Sequence, residues 1–430
     1  MCLGLRAMSK LKIKFAAFGI TVSLLTGLVI WKAVINPKNT RLELYEILTE
    51  TKNATYGNSG KSKLTSSSLD DLNHMNPNHL RPCEKIQYHN TKAKFERFVE
   101  QNGIAQNSLL KVSRHYSTDL MTLEQLAQIG EVEFKNVLSE LKLFKTQYHN
   151  AGGIYSLDEL AQRPENFRSN PKEVEDIYND QIARGEQSLA SRFYIYDIPK
   201  GTAYVARKAH KYSAPASYDD RNDALTAYFD EASYDVSIAA FISIHEIFPG
   251  HHLNLKSRSS GFICSGAGSR KSGWLLEGWA TYAEFIADEE GFFSEPEQRL
   301  AWLDYRLIRA MRIILDVKRM QAQTTYDDLK ETWDQRMPER LRHRFDRELN
   351  RLVKSDHQHV SYILGHQAVM RTKTKLMEDF GHDFDEKTFH DAMLRLDHRY
   401  PEVLYETVKI AMEESDLRID MESVSSKKQN

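Results

Sequence analysis

The run His245-Glu246-Ile247-Phe248-Pro249-Gly250-His251 constrains the fold most tightly, because it closes a stretch from Val236 to Phe248 that is otherwise almost wholly apolar. Such a segment has the composition of a buried helix, so His245 and Glu246 enter the interior as polar groups that need a partner. A zinc ion is one: a neutral imidazole ligates it, and the adjacent carboxylate takes a proton from water. The standard zincin helix carries its second His four residues on, one turn further along the same face. Pro249 stands at that position here, and the next imidazoles are His251 and His252. An unbroken α-helix turns a residue six positions on to another face and carries one seven positions on about 10 Å along the axis. The helix must therefore break or bulge, with proline freeing a carbonyl one turn earlier and glycine allowing unusual dihedrals. His251 is the expected second ligand and His252 the alternative.

A zinc hydrolase takes a third protein ligand from elsewhere, commonly a Glu on a following helix, and leaves a position for water. The segment Leu275-Leu276-Glu277-Gly278-Trp279-Ala280-Thr281-Tyr282-Ala283-Glu284 offers two carboxylates. Glu277 precedes a glycine that lets the helix pack closely on a neighbour, which makes it the candidate ligand. Glu284, two turns on, is placed to orient a ligand His through its second ring nitrogen. Without the upstream His-Glu pair, Glu277 reads as a surface carboxylate in a first helical turn.

The rest of the chain predicts a mainly α protein with at most a small β element. Apolar positions recur at three- and four-residue intervals from about residue 90, most clearly over 121–147, where Thr122 can cap, 235–248, 274–286 and 300–323. The best strand candidate is Ser191 to Tyr204, arranged like a hairpin around Pro199-Lys200-Gly201. Lys+Arg at 58 against Asp+Glu at 60 leaves a formal charge of −2, which disfavours nucleic acid as a partner. The three cysteines, Cys2, Cys83 and Cys264, are too sparse for a thiolate metal site; Cys83 and Cys264 are either isolated thiols or one bridge.

Arg6, Lys10, Lys12 and Lys14 precede an apolar stretch from Phe15 to Trp31, about as long as a bilayer span requires. The stretch closes on Trp31-Lys32 rather than on a small-x-small site, which favours an uncleaved anchor over a cleaved signal. The predicted organisation is a basic cytoplasmic segment at 1–14, a transmembrane anchor or signal segment at 15–35, a polar stalk at 36–80, a helical zinc hydrolase domain at 81–420 and a disordered tail at 421–430. The basic flank places everything after the anchor outside the cytoplasm, periplasmic in a bacterium, with cleavage and export as the second choice.

The segments His-Glu-Ile-Phe-Pro-Gly-His-His-Leu-Asn and Leu-Glu-Gly-Trp-Ala-Thr-Tyr-Ala-Glu resemble the two signatures of the domain of unknown function 885 family, grouped with the zincin metallopeptidases. The resemblance extends over most of the chain beyond about residue 115. It implies a helical zincin-like fold, one zinc ion on His245, His251 and Glu277, and Glu246 as the general base. Among similar helical peptidases of the thimet oligopeptidase and angiotensin-converting enzyme groups, some place a glycine directly before the second His, as Gly250 stands here. Those groups also use a late Tyr on the oxyanion, and Tyr362 occupies the corresponding Ser-Tyr segment; its other reading is an ordinary packing aromatic. His357, His359 and His366 read as solvated or capping residues, with His359 the first to test. The chain departs from the family pattern at Asn254, Lys318, Met320, Asp356 and His357.

The reading that follows is a membrane-tethered or exported zinc peptidase acting on peptide or peptide-like substrates. Two alternatives stand beside it: a zinc hydrolase of non-peptide amides or esters, and an inactive binding protein that keeps the scaffold.

Overall fold

A computed structural model describes residues 40–41, 43–44, 47, 66–103, 122–194, 200–207, 214–229, 233–259, 264, 273–320, 324–354, 358–396 and 400–413. Segments 1–14, 15–35 and 421–430 lie outside the described residues, as does most of the stalk up to residue 65. No described helix is long and apolar enough to cross a membrane. The chain divides into two compact units, Met1–Glu100 and Gln101–Asn430, a later boundary than the expected domain start at 81.

In the first unit, helices α1 (Ser66–His74) and α2 (Pro82–Gly103) flank a 3-10 turn at Pro77–His79. Leu72, Met75 and Leu80 pack with Leu44, Ile47, Tyr88 and Phe95 around a small core. The Tyr88 hydroxyl donates to the Leu72 carbonyl at 3.1 Å. Residues 66–80 are thus not stalk. Their Ser and Asn content masks Leu69, Leu72 and Met75, whose three-residue spacing gives a helix one apolar face to bury.

The second unit is helical apart from two small sheets. Helix α3 (Leu123–Asn150) starts at Thr122, whose hydroxyl accepts from the Gln125 amide while the Gln125 side chain accepts from the Thr122 amide, closing a capping box. The order continues with α4 (Leu157–Ala161), β1 (Phe167–Arg168), α5 (Pro171–Leu189), β2 (Thr202–Arg207), β3 (Ala216–Asp219), β4 (Ala224–Phe229) and β5 (Tyr234–Asp235). Then come α6 (Ala239–Glu246), α7 (His251–Ser259), α8 (Gly273–Glu289), α9 (Pro296–Met320), α10 (Tyr326–Arg336), α11 (Glu339–Arg342), α12 (Phe345–Lys354), α13 (Val360–Phe380), α14 (Glu386–Arg395) and α15 (Leu404–Glu413).

The strand expectation is half met. Thr202–Arg207 is a strand, but it pairs in parallel with β4, Thr202 facing Ala224, and the sheet order is β2-β4-β3. A hairpin joins β3 to β4 across Asp220-Arg221-Asn222-Asp223, a sequence rich in turn-forming side chains, with Asp223 at φ 53°, while residues 195–199 of the expected hairpin lie outside the described residues. Asp235, expected to open a helix, ends β5 and caps the 3-10 turn Val236–Ile238 by accepting from the Ser237 amide. Cys83 and Cys264 are both disulfide-bonded rather than free thiols.

The core is built on Trp274, Trp279, Trp302 and Trp333, all fully buried. Helix α8 packs most extensively on α13, and α9 on α3. The α8–α13 contact is backbone to backbone, because a Cβ on Gly278 would lie 2.4 Å from Gly365 Cα.

Candidate metal centre

Helix α6 is apolar but for Ser243 and its last two residues, so burial carries His245 and Glu246 inward. The helix ends there: Ile247 leaves helical geometry at φ −113°, ψ −87°. Trp279 of α8 donates to the Pro249 carbonyl at 2.8 Å and pins the break. Only glycine fits at 250, where a Cβ would stand 1.9 Å from the His245 carbonyl oxygen and 2.3 Å from that of Ile244. Helix α7 then starts at His251, whose ring turns back to meet that of His245, edge to face with centroids 4.7 Å apart.

The Oε2 atom of Glu277 faces both rings. It lies 3.4 Å from His245 Nε2 and 3.6 Å from His251 Nε2, and one ligand atom from each of the three residues falls within 4.8 Å of the others. Donors on a tetrahedral ion with bonds of about 2.0 Å stand roughly 3.3 Å apart, so the spacing suits a metal ion. His252 turns the other way, its Nδ1 2.9 Å from the Tyr218 hydroxyl. Glu277 Oε1 accepts from Gln358 Nε2 at 2.9 Å, whereas Oε2 is buried without a hydrogen bond.

Glu284 reaches His245 Nδ1 at 2.7 Å. Its own position is fixed by Arg309, which donates to both oxygens at 2.7 and 2.8 Å, and by Trp302 Nε1 at 3.1 Å. That bond makes Nδ1 the donor and leaves Nε2 for the centre. Arg309 matches Glu284, but the carboxylates of Glu246 and Glu277 have no Lys or Arg within 4.0 Å among the described residues. Glu277 facing two imidazoles, with Glu246 alongside, is a donor set that could hold a metal ion.

The same imbalance governs protons. Burial disfavours the His245 imidazolium, yet Glu277 and Glu284 outweigh it and raise its pKa to about 9. Burial likewise opposes ionisation of Glu277, but His245 and His251 hold it well below the ordinary carboxylate range. Glu284 falls to about 2, burial being overcome by Arg309 and His245.

Glu246 sits beside the ligand group, its Oε2 3.9 Å from His251 Nε2. The Tyr362 ring stacks 5.8 Å from the His245 ring, and its hydroxyl accepts from Arg351 Nη2 at 3.0 Å. Burial and Glu277 push the Tyr362 hydroxyl up to about 12, so it stays protonated at neutral pH. All five candidate residues, His245, Glu246, His251, Glu277 and Tyr362, line one cavity of about 310 Å³. A larger cavity of about 470 Å³ is lined by Tyr234, Tyr305, Arg340 and Arg344, but its Asp304 is matched by Arg340 at 2.6 Å and it contains no imidazole–carboxylate cluster of this kind.

His359 lies outside the group, fully buried with Nε2 3.2 Å from Asp316. His366 stacks on Phe285. Lys318 is tied to Thr332 and the Asp328 carbonyl, away from the cavity, while Asn254 is buried in α7. Asp356 and His357 lie outside the described residues. Sequence reasoning passed over Arg309 and Arg351, although a guanidinium inside the apolar run Leu307-Ile308-Arg309-Ala310-Met311 already signals a buried partner.

The fold and site together define a mainly helical protein with small sheets and a buried His-His-Glu group able to hold a metal ion. Residues 92–407 match the model of a family described as "Bacterial protein of unknown function (DUF885)", and the chain belongs to that family. No curated protein matches it. Among solved structures, it is similar to a "putative lipoprotein" from Colwellia psychrerythraea at 16% identity and TM-score 0.61, covering 85% of this chain and 66% of that one. A "putative lipoprotein of unknown function" from Shewanella oneidensis is similar at 17% identity and TM-score 0.53, covering 87% and 72%. The chain therefore spans just under two thirds of the first relative's length, and the likeness is one of fold.

Proposed function

We propose that this protein is a zinc-dependent hydrolase of the helical zincin type, acting on peptide bonds. The observation that carries the reading is the buried Oε2 of Glu277, without a hydrogen bond and aimed between two imidazole nitrogens at 3.4 and 3.6 Å, with a second carboxylate, Glu246, alongside. Two His and one Glu form a donor set common to hydrolytic zinc sites.

His245, His251 and Glu277 would hold the ion, and Glu284 would keep the His245 ring oriented. Bound zinc supplies Lewis acidity, polarising a carbonyl and acidifying water. Glu246, outside the ligand set, takes the proton of the attacking water and delivers it to the departing amine. Tyr362, protonated and bridged to Arg351, donates its hydroxyl hydrogen to the oxyanion that develops on the carbonyl, a contribution of a few kcal/mol for a well-placed donor.

Tethering or export is part of the reading. It is supported by the basic and apolar pattern of residues 6–35 and by the word lipoprotein in the descriptions of both structural neighbours. The catalytic unit would then meet its substrates outside the cytoplasm.

The test is hydrolysis of a peptide library by the zinc-loaded full chain, with Glu246→Gln as the partner variant. Glu246→Gln is expected to keep the metal and lose turnover by at least a hundredfold. Cleavage of esters or non-peptide amides alone would move the assignment to those bonds. Zinc binding without turnover of any of them would leave the inactive scaffold reading.

A further inference from the structure

Three guanidinium groups surround Tyr362, and they are not equivalent. Arg309 is paired with Glu284 at 2.7 Å and Arg312 with Glu348 at 2.6 Å. Arg351 has no carboxylate within 4.0 Å among the described residues; its one hydrogen bond there is to the Tyr362 hydroxyl at 3.0 Å. Its side chain lines the same 310 Å³ cavity as His245, Glu246, His251, Glu277 and Tyr362.

A guanidinium carries five N–H donors in a rigid fork, and Tyr362 occupies one of them. A partly buried cation with its fork open to a cavity is costly unless an anion arrives to pair with it. The flat fork matches a carboxylate through two parallel hydrogen bonds. A cavity of about 310 Å³ is at the small end for ligand sites, so an anion seated on Arg351 stands only a short length of chain from the imidazole ligands.

We infer that Arg351 receives the terminal carboxylate of a peptide substrate, which makes the protein an exopeptidase that removes a short fragment from the carboxyl end. The inference rests on the hydrolase reading above and names its substrate class. Arg351 is then a specificity-determining residue: it measures the distance from the free carboxylate to the bond set before Glu246. The bond broken is a backbone amide; water supplies the hydroxyl of the new carboxylate and the proton of the new amine.

The experiment uses the zinc-loaded full chain and pairs of N-acetylated oligopeptides of identical sequence, one ending in a free carboxylate and the other in a primary amide. Cleavage sites are read by mass spectrometry and kcat/KM by fragment release. The free acids should be cut within a few residues of the carboxyl end, with kcat/KM at least about 30-fold above the amides. Arg351→Gln should collapse that ratio towards one, and Arg351→Lys should restore part of it, chiefly through KM.

Equal cleavage of acids and amides by the unaltered protein overturns the inference while leaving the hydrolase standing. So does an Arg351→Gln variant that slows both members equally, the mark of a residue that only positions Tyr362. If neither member is cut, cleavage at the carboxyl end of peptides is overturned whatever other bonds the protein hydrolyses, and calorimetry of the same peptides decides the carboxylate site separately. Acid-selective binding that Arg351→Gln abolishes upholds the site, and equal or absent binding removes it.

Discussion

Gly278 and Gly365 touch through their backbones: a Cβ on the first would stand 2.4 Å from the Cα of the second, and a Cβ on Gly365 would stand 2.2 Å from the Trp274 carbonyl oxygen. This contact sets how near α8, which carries Glu277 and Glu284, comes to α13, which carries Tyr362. Gly278→Ala or Gly365→Ala must push the two helices apart. Each is expected to cost about 1–3 kcal/mol in urea unfolding and to weaken zinc binding, because Glu277 moves with its helix. Unchanged affinity in a destabilised variant would separate the packing from the metal group.

Glu284 acts on the centre at one remove, through His245 Nδ1. Glu284→Gln keeps the side-chain volume but weakens the acceptor that sets the ring's tautomer. A loss of about 10- to 100-fold in zinc affinity is expected, read by competition with a chromophoric chelator. Affinity equal to that of the unaltered protein would show that the His245 ring needs no such support.

Metal and proton compete for His245. In metal-free protein its pKa stands at about 9, raised by Glu277 and Glu284 against the effect of burial, so at pH 7.5 the ring is protonated. Zinc binding requires the neutral ring and should release about one proton. The sign extends to stability: the raised pKa favours metal-free protein below the unfolded value near 6.5, and that contribution is lost as pH rises through 9. Calorimetric titration with zinc in buffers of different ionisation enthalpy measures the release directly. A buffer-independent heat would mean that His245 is already neutral.

Acid should unfold the protein early. Burial lowers His366 to about 3 and His390 to about 4. The His390 ring is held neutral between the Arg192 carbonyl on Nδ1 and the Tyr282 hydroxyl on Nε2. Unfolded, both rings take up protons near pH 6.5, so each removes about 1.4 kcal/mol of stability per pH unit below that point until its folded pKa is reached. Glu348, held at about 2 by Arg312 against burial, adds a loss of the same sign below its ordinary pKa of about 4.3. Urea midpoints should fall steadily from about pH 6.5, the unfolded imidazole value, to about pH 4.5. A flat profile over that range would contradict neutral buried imidazoles.

Much of the site was legible because its parts are local. The His-Glu pair, the Pro-Gly interruption and the Glu-Gly step each lie within a few residues, and helical geometry alone requires a break before His251. Helix α3 was legible from the Thr122 cap, and α8 and α9 from their apolar spacing. What escaped depends on partners far along the chain. Arg309 answers a Glu 25 residues earlier, and Gln358 meets Glu277 across 81 residues. The β3–β4 hairpin was passed over because Pro199-Lys200-Gly201 carries stronger turn residues than the Asp220–Asp223 turn, and parallel pairing of β2 with β4 leaves no local mark. Residues 66–80 were misread because composition outweighed the stripe of Leu69, Leu72 and Met75.

The most direct test is the metal content of the purified protein by elemental analysis, beside Glu277→Ala and His251→Ala variants shown to be folded by circular dichroism. The account predicts close to one zinc per unaltered chain, and a large loss of zinc in each variant. Unaltered protein that takes up no metal when supplied with zinc, or variants that keep full occupancy, would contradict it.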